Sequence, residues 1–269
     1  MAMHWIRRLA FMWIAAVAMI PTLAHAENAK LALVIGNAAY KVAPLKNPVN
    51  DARAVGRTLR EFDFEVVERI DANLAGMLEA MREFLDRGRD RPVRLVYFAG
   101  HGTQFRGKNY LLPVDATVKS DEDLPLAAVN ATEFFDKLGT EKRGVNLVFV
   151  DACRNMPYPI GPRTRDLIHR RTLAPGFAPQ DDVKGTLIAF STAPGQIAFD
   201  GAGEHSAYTK HLLAHIRLPG VPIESVLKRV RSAVTEETQA RQVPWETSSL
   251  VGDFCFVPNG RGACGLATR

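Results

Sequence analysis

Of the seven histidines and three cysteines in this 269-residue sequence, the side-chain kinds that make and break covalent bonds near neutral pH, one of each ends a long apolar run. His101 stands between two glycines in "RLVYFAGHG", residues 94–102, and Cys153 closes "NLVFVDAC", residues 146–153. Only a few per cent of ordinary cysteine is thiolate at pH 7, so a cysteine nucleophile needs a base. An imidazole can take the proton and later return it to a leaving amine. Each residue alone has a plainer reading. A cysteine at a strand end packs as a small hydrophobe, and a histidine there is a satisfied structural residue. The pair has chemistry only if the fold brings the two run ends together.

Asp151 stands two residues before the thiol. A negative charge so close disfavours the thiolate, so this carboxylate has another task. Asp51 in "NPVNDARAVG" and Asp200 in "QIAFDGAG" are two further acids of interest, and Ser191 directly follows a fourth run, "TLIAF". Carboxylates crowded round a small cleft repel one another and are costly unless a cation joins them. A ligand's arginine or lysine supplies that cation, arginine bidentately. Two of the acids have ordinary alternatives: Asp51 as a helix cap and Asp200 as part of the "DGAG" turn. Capping does not account for Asp151.

The elements that must position these residues are legible as periodicity. Four nearly continuous apolar runs, 30–36, 94–100, 146–152 and 186–192, have the pattern of parallel strands buried on both faces. "FEVVERI", 64–70, is a weaker strand. Helical spacing recurs in "VNDARAVGRTLREF", in "LAGMLEAMREFLDRG" with Gly88 as its expected cap, in "ATEFFDKL", in "SAYTKHLLAHI" and in "IESVLKRVRSAVTEET". Strands alternating with helices predict an α/β fold, a mostly parallel central sheet flanked by helices. Ligands bind such sheets beyond the carboxyl ends of the strands. That edge gathers Gly36-Asn37, Asn50-Asp51, His101, Asp151, Cys153, Ser191-Thr192 and Asp200. The glycines beside His101 let backbone approach a ligand. The amides of Gly102 and Cys153 are then the expected oxyanion donors.

The chain begins with a basic pair, Arg7-Arg8, an uncharged apolar run from Leu9 to Ile20, Pro21 and a small-x-small triplet, Ala24-His25-Ala26. This predicts a signal peptide over 1–26 and a single domain over 27–269, secreted or periplasmic. The apolar run is too short to span a bilayer comfortably, so no stable membrane anchor is expected after cleavage. The net charge of +5 falls to +3 without the two arginines, and no basic stripe interleaved with aromatics argues for nucleic acid. Three cysteines in an exported protein suggest one pair and one free thiol. Cys255 and Cys264 are neighbours in sequence, which leaves Cys153 free. No C-x-x-C surrounds Cys153, so a thiol redox function is not favoured. His205, His211 and His215 have metal-like spacing without an H-E-x-x-H pattern, and no metal or other cofactor is expected. Trp245 fits either the core or a pocket wall.

The joint pattern resembles the caspase-like cysteine peptidases of family C14, of the bacterial and metacaspase type. The residues that carry it run from about Lys30 to Val257: "ALVIGNAAY", "LKNPVNDARAVGRTL", "GHG" with "NYLLPVDA", "DACRN", "STAPGQIAFDG" and "RQVPWETSSLVGDFCF". His101 precedes Cys153 by 52 positions, near the roughly 50 of caspases. The resemblance implies a caspase-like three-layer sandwich and a secreted endopeptidase with a Cys153–His101 dyad, acting on protein or peptide substrates. It places Asp51 and Asp151 in a pocket for Arg or Lys, with Asp200 and Ser191 as further substrate-binding residues. Animal caspases read Q-A-C-[RQG]-G where this chain has Asp151-Ala152-Cys153-Arg154-Asn155; the acid two residues before the cysteine is the metacaspase pattern, and Asn155 replaces a glycine. Calcium dependence occurs among metacaspases, and "SDEDLP" is the stretch that could hold such an ion, although a solvated loop is its simpler reading. The segment 155–182 holds five prolines and no sustained periodicity. It is expected as a long mobile loop, and self-cleavage is expected between Arg163 and Arg171. The competing function is a catalytically inactive caspase-like adaptor. The sequence does not specify an oligomeric state.

Overall fold

Continuous apolar runs form the middle of a sheet because both faces of each strand meet helices. The computed structural model describes residues 29–139, 144–153, 185–193, 201, 203–259 and 264. Its elements are β1 (Lys30–Gly36), α1 (Pro48–Glu61), β2 (Phe64–Ile70), α2 (Leu74–Gly88), β3 (Val93–Phe105), β4 (Lys108–Leu111), α3 (Leu124–Ala127), β5 (Val129–Asn130), α4 (Ala131–Gly139), β6 (Val145–Cys153), β7 (Thr186–Phe190), α5 (Ala207–His215), α6 (Ile223–Glu237) and β8 (Trp245–Ser248). The strand order is β2-β1-β3-β6-β7-β8. The first five of these strands are parallel to their neighbours, and β8 is antiparallel to β7.

Alternate residues of each inner strand serve opposite layers. Ala32 and Val34 of β1, Leu95 and Tyr97 of β3, and Leu147 and Phe149 of β6 pack with Val55 and Leu59 of α1, Leu212 of α5 and Val230 of α6. Leu33 and Ile35, Val96 and Phe98, and Val148 and Val150 pack with Met77 and Phe84 of α2 and Phe135 of α4 on the other face. This is the expected three-layer sandwich. The weaker run at 64–70 is the edge strand β2. Its outward Glu65 and Arg69 pair with Arg91 at 3.0 Å and Glu83 at 2.9 Å, which explains its charged composition.

Two local features depart from the sequence reading, and a third decides between two open alternatives. The run ending at residue 100 continues to Phe105, because β3 turns back on itself into β4. The connection is Arg106-Gly107, both at positive φ (50° and 75°), as a two-residue hairpin demands. Gly88 does not terminate α2 in a left-handed conformation. It makes room for Arg94, whose Cδ lies 3.0 Å from where a Cβ would stand. Trp245 is not core; it is 55% exposed on the edge strand β8.

Gly36 is where the fold begins to build a site. A Cβ there would lie 2.4 Å from the Pro48 carbonyl oxygen and 2.5 Å from the Ala52 Cβ. Only glycine lets the first turn of α1, with Asp51, sit directly on the end of β1.

Cys255 and Cys264 form a disulfide with Cα atoms 5.4 Å apart. Cys255 lies between Phe254 and Phe256, both in the core beside α6, so the bond ties the following segment to the packed body. Closing so short a loop contributes about 2–3 kcal/mol. Reduction is expected to lower Tm by several degrees, and unreduced peptide mapping to recover the linked pair. Two free thiols at these positions in protein prepared without reductant contradict this. Among the described residues no helix is long and apolar enough to cross a membrane.

Candidate active site

His101 is the last β3 residue paired with β6, and its partner in register is Cys153. Neighbouring strands lie about 4.8 Å apart, so the fold sets the backbones of these two residues side by side at the carboxyl edge of the sheet. Gly102 follows at once and pairs with Leu111 of β4.

The imidazole is fixed by groups that the sequence did not single out. The Tyr40 hydroxyl accepts the His101 backbone N–H at 2.9 Å and donates to the Leu112 carbonyl at 3.1 Å. The Tyr40 ring lies 4.5 Å from the imidazole. Nε2 of His101 is 2.7 Å from the Ala43 carbonyl oxygen. A carbonyl only accepts, so Nε2 carries the proton and the neutral ring keeps Nδ1 as its basic nitrogen. Ala43 has φ of 53°, uncommon for a non-glycine residue, and this turn delivers its carbonyl to the histidine. Gly100 is needed for the same arrangement: a Cβ there would stand 2.5 Å from the Tyr40 hydroxyl.

The two acids converge beside this pair. Asp51 is 1% exposed and Asp151 is 7% exposed. Asp51 is not the cap of α1. Asn47 precedes the helix, Pro48 opens it, and Asp51 lies inside the first turn. Its Oδ1 meets His205 Nδ1 at 2.7 Å, and its Oδ2 accepts the Ser206 amide at 3.3 Å. Asp151 Oδ2 accepts the hydroxyls of Ser206 and, at 2.8 Å, Thr209. Ser206 caps α5 by accepting the Thr209 amide. One residue therefore holds both carboxylates, one by its amide and the other by its hydroxyl. The hydroxyls and the amide of this turn carry no formal charge themselves. The field of the two acids is felt by Tyr97, whose hydroxyl lies 2.6 Å from that of Thr209. Burial first, and then Asp51 and Asp151, push the Tyr97 phenol well above its usual range, so it stays neutral.

Ser191 continues β7 beside Asp151. It is fully buried, and its carbonyl accepts from Gln242 at 2.8 Å. Its hydroxyl has no hydrogen-bond partner among the described residues. Asp200, the expected loop and cleavage segment, and the whole of the expected 1–26 segment lie outside the described residues. Asn37, expected at the same edge, acts as a structural pin: its amide bonds the Ala72 amide at 2.9 Å and the Leu112 carbonyl at 3.2 Å.

The three histidines with metal-like spacing separate. His205 turns to Asp51, His211 pairs with Glu237 at 2.6 Å, and His215 bonds the His211 carbonyl. Among the described residues no three His, Cys, Asp or Glu side chains form a metal-binding group. In the acidic stretch near residue 121, Asp123 accepts the backbone amides of Lys119 and Ser120, which hold its carboxyl below the usual range. That carboxylate is spent on its own turn.

Residues 29–255 match the caspase-domain family of C14 peptidases. Mucosa-associated lymphoid tissue lymphoma translocation protein 1 of Homo sapiens is 35% identical to this chain over 129 residues, which is 46% of this chain and 15% of that protein. Its homolog in Mus musculus matches at the same identity and coverage. The chain thus covers a minor part of the length of these relatives.

Proposed function

Because the chain belongs to the caspase-domain peptidases of family C14, a family of cysteine peptidases, we propose that it is an endopeptidase that cuts after arginine or lysine. Cys153 is the nucleophile and His101 its base. The observation that carries this reading is the meeting of two buried acids, Asp51 and Asp151, on Ser206, at the strand end where His101 and Cys153 are in register.

With Nε2–H donated to the Ala43 carbonyl, Nδ1 of His101 accepts the thiol proton as sulfur attacks the substrate carbonyl. The backbone amides of Gly102 and Cys153 stabilise the oxyanion. The imidazolium then protonates the departing amine, and water releases the acyl group from sulfur by the reverse sequence. The substrate's basic side chain enters beside Asp51 and Asp151, where its charge offsets theirs and a guanidinium can bond both. Asp200 and Ser191 complete the pocket. The acid two residues before the cysteine favours the metacaspase type within the family. The reaction needs no cofactor, and the leader-like 1–26 segment directs the enzyme out of the cytoplasm.

A panel of fluorogenic peptides that differ only in the residue before the scissile bond tests the assignment. Arginine and lysine are expected to exceed aspartate by at least about a hundredfold in kcat/KM, since the wrong charge leaves the acids uncompensated and adds a like charge. Faster cleavage after aspartate than after arginine contradicts the pocket.

A further inference from the structure

We propose that Tyr40 and Asp71 are positioning residues for His101, holding the segment 37–45 so that its Ala43 carbonyl meets the imidazole. The proposal rests on the reading of His101 as the base that serves Cys153. Its own ground is how that segment is built. Residues 41–44, Ala43 among them, are all exposed, and between 38 and 46 only Tyr40 is buried. Nε2 of His101 nevertheless lies 2.7 Å from the Ala43 carbonyl oxygen. A contact that sets the tautomer of the base is thus carried by a stretch of surface chain. Chain with so few buried contacts opens readily unless something fastens it.

Asp71, directly after β2, is the first fastening. Its N–H donates to the Gly36 carbonyl at the end of β1 at 2.9 Å. Its Oδ1 accepts the amides of Ala38 at 2.8 Å and Ala39 at 2.9 Å. The Ala38 carbonyl in turn accepts the amides of Tyr40 at 2.8 Å and Leu45 at 3.0 Å, which draws the two ends of the turn together around Ala43. Tyr40 is the second fastening. Its side chain packs with Leu112 and Ala116 in a small cluster apart from the two main cores. Its hydroxyl bridges the His101 N–H at 2.9 Å and the Leu112 carbonyl at 3.1 Å.

One residue therefore joins the turn that presents the acceptor to the strand that presents the imidazole. Asp71 fixes where the turn starts, and Tyr40 fixes its distance from His101. The hydrogen bond made by one ring nitrogen decides which nitrogen carries the proton. If the Ala43 carbonyl drifts, the proton is no longer held on Nε2, and Nδ1 is less often the basic nitrogen facing the thiol. A displacement of about 1 Å in such a placement costs on the order of a hundredfold in rate.

Tyr40→Phe keeps the ring beside the imidazole and removes the hydroxyl. On a fluorogenic arginine peptide kcat is expected to fall roughly tenfold to a hundredfold while KM stays within about twofold, because substrate binding is untouched. Asp71→Ala is expected to lower kcat about tenfold, and Asp71→Asn, whose side-chain oxygen can still accept both amides, by no more than about twofold. The double variant Tyr40→Phe/Asp71→Ala is expected to lose less than the product of the two losses, since both act through one carbonyl. Alkylation of Cys153 by iodoacetamide, which needs the base but no substrate, is expected to slow in the same order. Phe84→Leu, in the core under α2, is the control for a purely structural loss: it lowers Tm and leaves kcat unchanged. A wild-type kcat in Tyr40→Phe or in Asp71→Ala overturns the proposal. A loss carried by KM, or one that Phe84→Leu reproduces at equal Tm, overturns it as well. No turnover in wild type, or full turnover in His101→Ala, overturns the reading of His101 as the base, and this proposal with it.

Discussion

Replacing Cys153 by alanine is expected to lower kcat on an arginine peptide by at least about a thousandfold while the fold stays intact. In the proposed mechanism the sulfur is the atom that bonds to the substrate, and nothing else in that mechanism takes its place. Residual rate comes only from pocket binding and oxyanion donors. His101→Ala is expected to fall as far, because the thiol then loses the base that ionises it. The double variant is expected to be no worse than either single one, since the two residues act as one unit. Circular dichroism and Tm separate chemistry from folding. His101→Ala gives up its ring contact with Tyr40 and its bond to Ala43, but its backbone N–H still reaches the Tyr40 hydroxyl. Turnover retained in a folded Cys153→Ala protein would falsify the assignment of the nucleophile.

Asp151→Asn is expected to cost about a hundredfold or more in kcat/KM for arginine and lysine peptides, mostly through KM, because it leaves a buried substrate cation with one acid fewer. The replacement keeps the shape, and its side-chain oxygen can still accept from Ser206 and Thr209, so stability is expected to change by only about 1 kcal/mol. Asp51→Asn acts in the same direction and leaves one acceptor oxygen where Asp51 uses two, for His205 and for the Ser206 amide. If Asp151→Asn cleaves arginine peptides as well as wild type, Asp151 is a structural clasp for α5 and nothing more.

The central strands were legible because β1, β3, β6 and β7 are buried on both faces and so read as unbroken apolar runs. Their carboxyl ends then located His101, Asp151, Cys153 and Ser191 without any knowledge of the loops. The hairpin at Arg106-Gly107 escaped notice because its first turn residue is an arginine held at positive φ, not the Asn or Asp that announces such turns. The edge strand β8, Trp245–Ser248, is mostly exposed and lacks a strand's apolar pattern. The partners of His101 were harder still. A backbone carbonyl such as that of Ala43 has no signature in residue type, and Tyr40 reads as an ordinary core aromatic. Ser206 and Thr209 follow the spacing of a helix cap, and that signal was available. Nothing in the sequence indicated that the same capping turn would also grip two acids from α1 and β6. His205 was weighed only as a metal ligand, because its contact with Asp51 spans more than 150 residues of chain.

The most direct test is covalent labelling of the purified protein with a peptidyl acyloxymethyl ketone ending in arginine, followed by intact and peptide mass measurement. The account predicts a single adduct on Cys153, prevented by His101→Ala and slowed by Asp151→Asn, with the aspartate-ending reagent reacting far more slowly. A folded protein that takes up no label, or takes the aspartate reagent faster, contradicts an arginine-directed cysteine peptidase and favours an inactive caspase-like adaptor.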